Sequence, residues 1–506
     1  MWIKRINNKL IARLMTVLYI VSMLPVIIVA LYDRATADDY GFSDITRNIW
    51  IEKHSLILVL KAACEKVYET YYTWQGTWFD VFVFSLQPEV FSDRAYWIGI
   101  VLIIILMSCS AYYFSEKVLV KMIGIERNIS VFLVGVFLFL FYQFVPDKWS
   151  SIYWFNGVAH YILPTSIALW GVGNAAEYLI SHKTRNIIAV MISFTLMGGA
   201  NYLTAIWLMM MLFLIIAWYI VHSCNNQSFQ VSVRKIWILV IPCVLEIVGL
   251  LISGLAPGNG KRENFSITIG SIFAAVLKAF SYSFKNLISY VINYPEIDLF
   301  ILSFGMIIFW MMIKTDHLTY RKFKYPVIVS VYLYLIYVLV HWPEIFVDTG
   351  VSMGVPNTYF MTFYFMIFGN IIYWGGYLTS RYKERIKENH INILGIACIL
   401  MLVISGAFFL LSGRFRTITD YSCYHFVSSG RASEFKEEMK LQTYLLERPN
   451  DMSPTIPIVN NNDIEPLFNM NVTSDDDAWI NRALARFYGK KVVHGVTKEE
   501  WFELYK

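Results

Sequence analysis

The sequence predicts an all-α polytopic membrane protein of about eleven transmembrane helices, with interfacial helices in its outer loops and a small α/β unit at its C-terminus. Three observations predict this. Of the 506 residues, 57% are hydrophobic and only 16% charged, whereas soluble domains carry roughly 25% charged residues. Apolar runs recur at about the 20-residue length a spanning helix needs. The Lys and Arg residues sit in short clusters between alternate runs, as a membrane topology requires. The composition excludes a disordered chain. Six cysteines are too few to staple a chain of this length. The net charge of +5 comes with no basic stripe interleaved with aromatics, so nucleic acid is not an expected partner.

The runs fall at 13–32, 96–115, 129–146, 160–180, 187–201, 203–221, 236–256, 298–313, 326–341, 357–378 and 391–412. The first is not a cleaved signal, because Pro25 and Tyr32-Asp33-Arg34 do not resemble a small-residue cleavage site. The runs at 187–201 and 203–221 are parted only by Gly198-Gly199-Ala200-Asn201-Tyr202, which admits a re-entrant turn in place of one span. Basic clusters lie before the first run (Lys4, Arg5, Lys9, Arg13), between the second and third (Lys117, Lys121, Arg127) and after the fourth (Lys183, Arg185). Others lie before the seventh (Arg234, Lys235), after the eighth (Lys314, Arg321, Lys322, Lys324) and after the tenth (Arg381, Lys383, Arg385, Lys387). With eleven spans all of them share one side, which the positive-inside rule makes cytoplasmic. The N-terminus is then cytoplasmic and the C-terminus extracytoplasmic. The chain divides into a transmembrane domain, 1–412, and an extracytoplasmic tail, 413–506.

The long segments 33–95, 147–159, 257–297, 342–356 and 413–506 fall on the outer side, so chemistry is expected there. In 33–95 and 265–292 the apolar residues recur at helical spacing, with Trp74, Trp78 and Phe79 suited to an interface. These read as helices lying on the membrane. In the tail, a helix is expected from about Ser433 to Glu447 and strands at Thr455–Val459 and Lys491–Val493. Ser474 before three aspartates reads as an N-cap, and Thr497-x-x-Glu500 as a capping box. Cys64 and Cys423 both fall outside and are able to pair.

Four features carry chemistry. Asp38-Asp39-Tyr40 follows the first span, and a carboxylate there can take a proton from an attacking hydroxyl. The structural alternative is that both acids sit at the start of a short helix near Phe42, where the dipole favours them; Asp33 and Asp44 are weaker candidates of the same kind. The turn Pro257-Gly258-Asn259-Gly260-Lys261-Arg262 joins glycines, which let backbone N–H groups approach an anion, to two cations able to hold a phosphate; the alternative is contact with lipid headgroups. The loop Trp154-Phe155-Asn156-Gly157 with His160, Tyr161 and Pro164 offers aromatics and an amide for a sugar ring, or else an aromatic belt. His160 alone reads as a structural hydrogen-bonder. Glu246 lies mid-span, where an ionisable group is costly; the bland reading is a neutral carboxyl bonded to a neighbouring helix. No zinc spacing, nucleotide-binding glycine loop or nucleophile elbow is present.

The segment Thr36-Ala37-Asp38-Asp39-Tyr40 resembles the first outer loop of GT-C-type glycosyltransferases, polytopic enzymes that take a sugar from a polyprenyl-phosphate carrier. Tyr71-Tyr72-x-x-Gln75-Gly76, Asn156-Gly157-x-x-x-Tyr161-x-x-Pro164, Gly198-Gly199 and Pro257-Gly258-Asn259-x-x-Arg262 are similar to a bacterial group of that class, laid out like the O-antigen and cell-wall glucosyltransferases. The resemblance implies a bacterial plasma-membrane enzyme. Asp38 or Asp39 would be the base, and Lys261 and Arg262, with Asn259, would hold the carrier phosphate. Tyr40, Gln75, Asn156, His160 and Tyr161 would contact substrate. The partners would be a polyprenyl-phosphate sugar, an envelope glycan acceptor and membrane lipid. No metal site or cofactor is required, though an Asp-bound divalent ion is compatible. The sequence departs from the group in having Thr77 where Arg often follows Gln-Gly. A transporter of lipid-linked glycan is the alternative function, and an outer-surface scaffold a third.

Overall fold

A computed structural model describes residues 7–223, 236–262, 269–315, 318, 320–347 and 352–504. Arg234, Lys235 and the first part of the 265–292 segment lie outside the described residues, as does the side chain of Arg262. The first part of the chain holds α1 (Asn8–Ala30), α2 (Asp38–Lys53), α3 (Leu56–Thr73), α4 (Trp78–Phe84), α5 (Tyr96–Ser115), α6 (Arg127–Phe144) and α7 (Phe155–Ser181). The middle holds α8 (Thr184–Met197), α9 (Tyr202–Ser223), α10 (Val240–Gly254), α11 (Pro257–Arg262), α12 (Ile269–Asn293), α13 (Pro295–Ile313), α14 (Pro326–Val347), α15 (Val355–Tyr382) and α16 (Glu388–Leu411). The tail adds α17 (Thr419–Ser428), α18 (Arg431–Leu446), β1 (Thr455–Pro457), α19 (Trp479–Phe487), β2 (His494–Val496) and α20 (Lys498–Leu504).

Every apolar run read from the sequence is a helix. Among the described residues eight helices are long and apolar enough to cross a membrane: α1, α5, α6, α9, the helix containing α10, α13, α14 and α16. The exceptions have physical reasons. α7 and α15 have 27 and 28 residues, about 40 Å each at the α-helical rise. They are less apolar because they run through the bundle interior, packed against other helices along most of their length. Buried positions there tolerate Asn, Thr and Ser that a lipid-facing helix would not. α16 is the converse, with Ile393, Ile396, Leu400, Val403 and Ile404 exposed for lipid. α8, at 14 residues, spans only about 21 Å.

Side-chain contacts sort the helix ends into two groups. At the basic end Glu126 accepts from Asn8 (2.6 Å) and Thr315 (2.9 Å). There too Glu177 meets Lys117 and Lys121 at 3.1 and 2.9 Å, and Trp310 donates to the Ile391 carbonyl. At the other end Gln143 donates to Asp420 (3.0 Å), the Asp147 amide donates to Asn357 (2.8 Å), and Arg414 faces Glu296. Among the described residues, the ends near Asn8, Glu126, Glu177, Thr315 and Ile391 thus share the basic side, and the tail caps the opposite end.

The tail does not stand apart. Arg47 is pinned between Asp93 (2.7 Å) and Glu447 (3.6 Å), with its guanidinium 4.6 Å above the Phe487 ring. Arg34 meets buried Glu89 at 3.1 Å, and Arg486 meets Asp44 at 2.8 Å. α2 therefore lies beneath tail residues rather than on a lipid surface, whereas α3 keeps Leu56, Ile57, Leu58 and Leu60 exposed. β1 and β2 pair in parallel, Ile456 opposite Gly495. α18 begins near the expected position, and the Thr497/Glu500 capping box forms. Ser474 is not an N-cap: Asp475 instead accepts from the Asp477 amide in a turn, and α19 starts only at Trp479. Cys64 and Cys423 are both free. Cys423 is buried against the Tyr153 hydroxyl, whereas Cys64 is exposed on α3, so they do not meet. α12 packs on the end of α14, where Asn286 reaches His341 (3.2 Å), and keeps Phe273, Leu277 and Phe284 exposed.

Candidate functional site

The site is built around the start of α2. Both acids lie in its first turn, where the helix dipole favours negative charge. The helix is entered through Ala37, held at φ 50°. Such a conformation costs about 1–3 kcal/mol in a non-glycine residue and persists only where its surroundings hold it. The tail supplies that hold. The Ala37 amide donates to the Met470 carbonyl (2.9 Å), and the Met470 amide donates to Thr36 Oγ1 (2.6 Å).

The two acids then part. Asp38 is half-buried. Asp39 is fully buried and accepts three hydrogen bonds: from Tyr96 Oη (2.6 Å) and the Thr36 amide (3.0 Å) on one oxygen, and from the Asn156 amide (3.1 Å) on the other. Burial pushes its carboxyl up to about 8 against the pull of those donors. Through Asn156 the start of α2 is tied to the start of α7.

One turn along α7 from Asn156 lies His160, whose Nδ1 is 2.7 Å from Asp80 Oδ2, though out of line for a hydrogen bond. Asp80 is fully buried on α4, and burial raises its carboxyl to about 6 despite the adjacent imidazole. Asn201 Nδ2 donates to the His160 carbonyl, and the Phe79 amide donates to the Gly199 carbonyl (2.9 Å). While the Asn156 backbone N–H is held by Asp39, both polar atoms of its side-chain amide are buried without a partner among the described residues; so are Ser151 Oγ and Trp154 Nε1. Buried polar groups are ordinarily bonded. A cluster that is not, at the first turn of a long helix, is a place where a polar ligand would find donors and acceptors waiting.

The glycine motifs close the remaining gaps. Gly198 lies against the backbone of Glu246 and Gly249, where an added Cβ would come within 2.9 Å, so α8 and α10 touch main chain to main chain. Gly199 underlies the Trp78 indole. Tyr202 Oη meets Ser253 Oγ at 2.9 Å. Asn259 clasps the next segment: its oxygen accepts from the Gly76 amide (3.2 Å), and its nitrogen donates to the Ser253 (2.9 Å) and Gly254 (3.1 Å) carbonyls. The Gln75-Gly76 and Pro257-Gly258-Asn259 motifs are thus two halves of one contact.

Of the residues proposed from sequence, Asp38, Asp39, Asn156, His160 and Tyr161 come together at the α2–α7 junction. Tyr161 is buried, with its ring edge-on to His160 at 4.6 Å. Gln75 bonds Thr77 (3.0 Å) in the adjacent turn. Tyr40 is a packing residue: its hydroxyl donates to the Ala35 carbonyl (2.6 Å) and its ring meets Phe487 at 5.1 Å. Asn259 has its amide occupied by backbone, which leaves it a clasp rather than a phosphate ligand. Lys261 is exposed and forms no ion pair among the described residues. Asp44 is held by Lys66 (3.1 Å) and Arg486 (2.8 Å), a structural role. Asp33 is buried, which raises its carboxyl well above the usual range. Glu246 is buried, and among the described residues neither oxygen has the neighbouring-helix hydrogen bond that a neutral structural carboxyl would make. Asp80 was missed. Its signal was an acid set among Trp78, Phe79, Val81 and Phe82, where an unpaired charge would be costly. Among the described residues no three His, Cys, Asp or Glu side chains group as metal ligands.

Compared with known proteins, the chain matches no family model, no curated protein and no solved structure.

Proposed function

We propose that the chain is a GT-C-type glycosyltransferase of a bacterial plasma membrane, with eleven spans, a cytoplasmic N-terminus and an extracytoplasmic tail. It transfers a sugar from a polyprenyl-phosphate donor to an envelope glycan or lipid-linked acceptor. The observation that carries this reading is the gathering of carboxyl groups from two helices, Asp38 and Asp39 in the first turn of α2 and Asp80 on α4, with His160 and the unpartnered side-chain amide of Asn156, at the end of an apolar helix bundle.

The two adjacent acids take different roles. Asp39 already accepts three hydrogen bonds and is buried, so it holds α2 to α5 and α7. Asp38 is the base. The acceptor hydroxyl gives its proton to the Asp38 carboxylate as its oxygen attacks the anomeric carbon. The bond from that carbon to the carrier phosphate breaks, with inversion, and the electron pair leaves on phosphate oxygen. Lys261 and Arg262 stabilise the charge on the departing phosphate, the electrostatic contribution such a step needs. No nucleotide diphosphate is released, so the step does not demand a divalent ion.

The test is transfer of labelled sugar from a polyprenyl-phosphate donor in membranes carrying wild type, Asp38→Asn or Lys261→Ala. Loss of transfer in the first and a raised KM for donor in the second support the reading. Unchanged transfer in both refutes it. The unpaired carboxyl of Glu246 favours one alternative, a transporter of lipid-linked glycan; movement of labelled lipid across liposomes with no covalent product would decide for it.

A further inference from the structure

At the opposite end of the bundle lies a cavity of about 150 Å³ that the transfer chemistry does not use. It runs between α5, α6, α7, α9, α14 and α15. Trp207 and Thr362 lie toward its tail-side end, and Trp218, Tyr373 and Met122 toward its basic end. From Trp207 to Trp218 along α9 is about 16 Å at the helical rise, close to the half-thickness of a bilayer's hydrocarbon, about 15 Å. The walls are hydrocarbon and aromatic. Of the three hydroxyls among them, Ser115 pairs with Ser130 and Thr362 donates to the Thr358 carbonyl (2.8 Å), while that of Tyr373 lies at the basic end. The unpartnered polar atoms of the walls are the indole N–H groups of Trp207 and Trp218, one toward each end; the length between them is apolar, and apolar cavities of this size stay dry and take apolar guests.

The basic mouth has a different chemistry. The helix continuing α5 winds into a π-helical stretch, Glu116–Ile123, whose Val118, Leu119, Met122 and Ile123 face the cavity. It stops at Gly124, with φ +88°. The Lys322 ammonium lies over that glycine, 2.5 Å from where a Cβ would stand. The next residue, Phe323, is buried against Tyr373 of the cavity wall, ring centroids 5.5 Å apart. Lys322 is half-buried and has no carboxylate partner among the described residues. Burial lowers its ammonium below the ordinary lysine value. On α9 at the same end, Trp218 Nε1 is buried with no acceptor among the described residues.

We propose that this cavity holds one acyl chain of an anionic phospholipid, with its phosphate at Lys322 and a glycerol-ester oxygen at Trp218 Nε1. The occupant is a resident lipid of the leaflet at the basic end, not the sugar carrier: a phosphate at Lys322 lies at the opposite end of the bundle from Asp38 and Asp80. The proposal is independent of the glycosyltransferase reading.

The experiment has two parts, both on the full chain. Phosphatidylglycerol with a photoactivatable group at the end of one acyl chain is crosslinked to wild type in nanodiscs, and the labelled peptides are mapped. Label on the peptides holding Met122, Leu214 or Leu333 is expected; label confined to the exposed faces of α1 and α16 would overturn the proposal. In parallel, lipids retained through detergent purification are identified in wild type, Leu333→Trp and Lys322→Ala. About one phospholipid per chain in wild type is expected, with several-fold loss in Leu333→Trp and loss of the preference for phosphatidylglycerol over phosphatidylethanolamine in Lys322→Ala. Retention of polyprenyl phosphate alone, of no lipid, or of the same lipid in all three proteins would overturn it.

Discussion

Replacing Asp39 by Asn separates the two adjacent acids. Three donors converge on the Asp39 carboxyl: Tyr96 Oη and the Thr36 amide on one oxygen, and the Asn156 amide on the other. An asparagine has one acceptor oxygen and one NH₂. Its better orientation keeps the first oxygen's two donors and turns the NH₂ toward the Asn156 amide. That N–H, at the first turn of α7, is left buried and unpaired, at a cost of about 1–3 kcal/mol. Asp39→Ala orphans all three donors and costs more. Asp38→Asn, which gives up a negative charge in the first turn of α2 at a half-buried position, should cost about 0.3–1 kcal/mol while abolishing transfer. pH supplies an independent check. The folded Asp39 carboxyl is raised to about 8, so below about pH 4 the group is neutral in both folded and unfolded chains and contributes nothing. Above that the unfolded chain ionises while the folded one keeps its proton. Stability is therefore lost as pH rises toward 8 and levels off beyond. Between pH 6 and 8 the loss is roughly 2–3 kcal/mol. Glu89, which burial raises to about 7 against Arg34, and Glu447, raised to about 7 by its hydrogen bond with Asp93, add in the same direction. Thermal unfolding in detergent at pH 6 and pH 8.5 should show wild type losing stability with pH, and Asp39→Asn starting lower but losing less. If Asp39→Asn unfolds at the wild-type temperature with the wild-type pH slope, the division of roles between the two acids is wrong.

Three further outcomes follow from the packing. His160→Gln removes the imidazole that holds the Asp80 carboxyl down, so that carboxyl rises above about 6; if His160 and Asp80 take part in transfer, the acidic limb of the pH–rate profile moves to higher pH, and Asp80→Asn should erase that limb. Arg47→Ala leaves Asp93 and the Phe487 ring without their cation and should cost roughly 3–5 kcal/mol, read as faster proteolytic release of the tail while the bundle stays intact. Gly198→Val forces a side chain where an added Cβ already comes within 2.9 Å of the α10 backbone; it should cost at least about 1–3 kcal/mol and lower transfer by displacing the Gly199–Phe79 contact, which a thermal shift and the transfer assay would detect together.

The fold was legible wherever one physical quantity ran along the chain. Hydrocarbon length set the helices, and alternating basic clusters set which ends lie together, because both depend on composition over a whole turn or more. The site was legible in part. Asp38, Asp39 and Asn156 stood out as polar residues at the edges of apolar runs. Asp80 did not, because an acid beside aromatics reveals its partner only when α4 is laid against α7. Tyr40 misled, since an aromatic next to an acid looks the same in sequence whether it faces a ligand or Phe487.

The glycine pairs show the division most clearly. Gly198-Gly199, Gly76 and Gly258 marked places where backbone must approach closely, but not what approaches: Gly249, Ser253 and Trp74 lie far away along the chain. By itself the amino-acid order determined a bundle of apolar helices with two unlike ends and an appended polar tail, since these follow from transfer of side chains between water and hydrocarbon. Only the tertiary structure decided that one of two neighbouring acids is fully buried under three donors while the other is half-buried. That choice rests on hydrogen bonds of about 3 Å between segments more than fifty residues apart, and no local pattern encodes so short a distance across so long a separation.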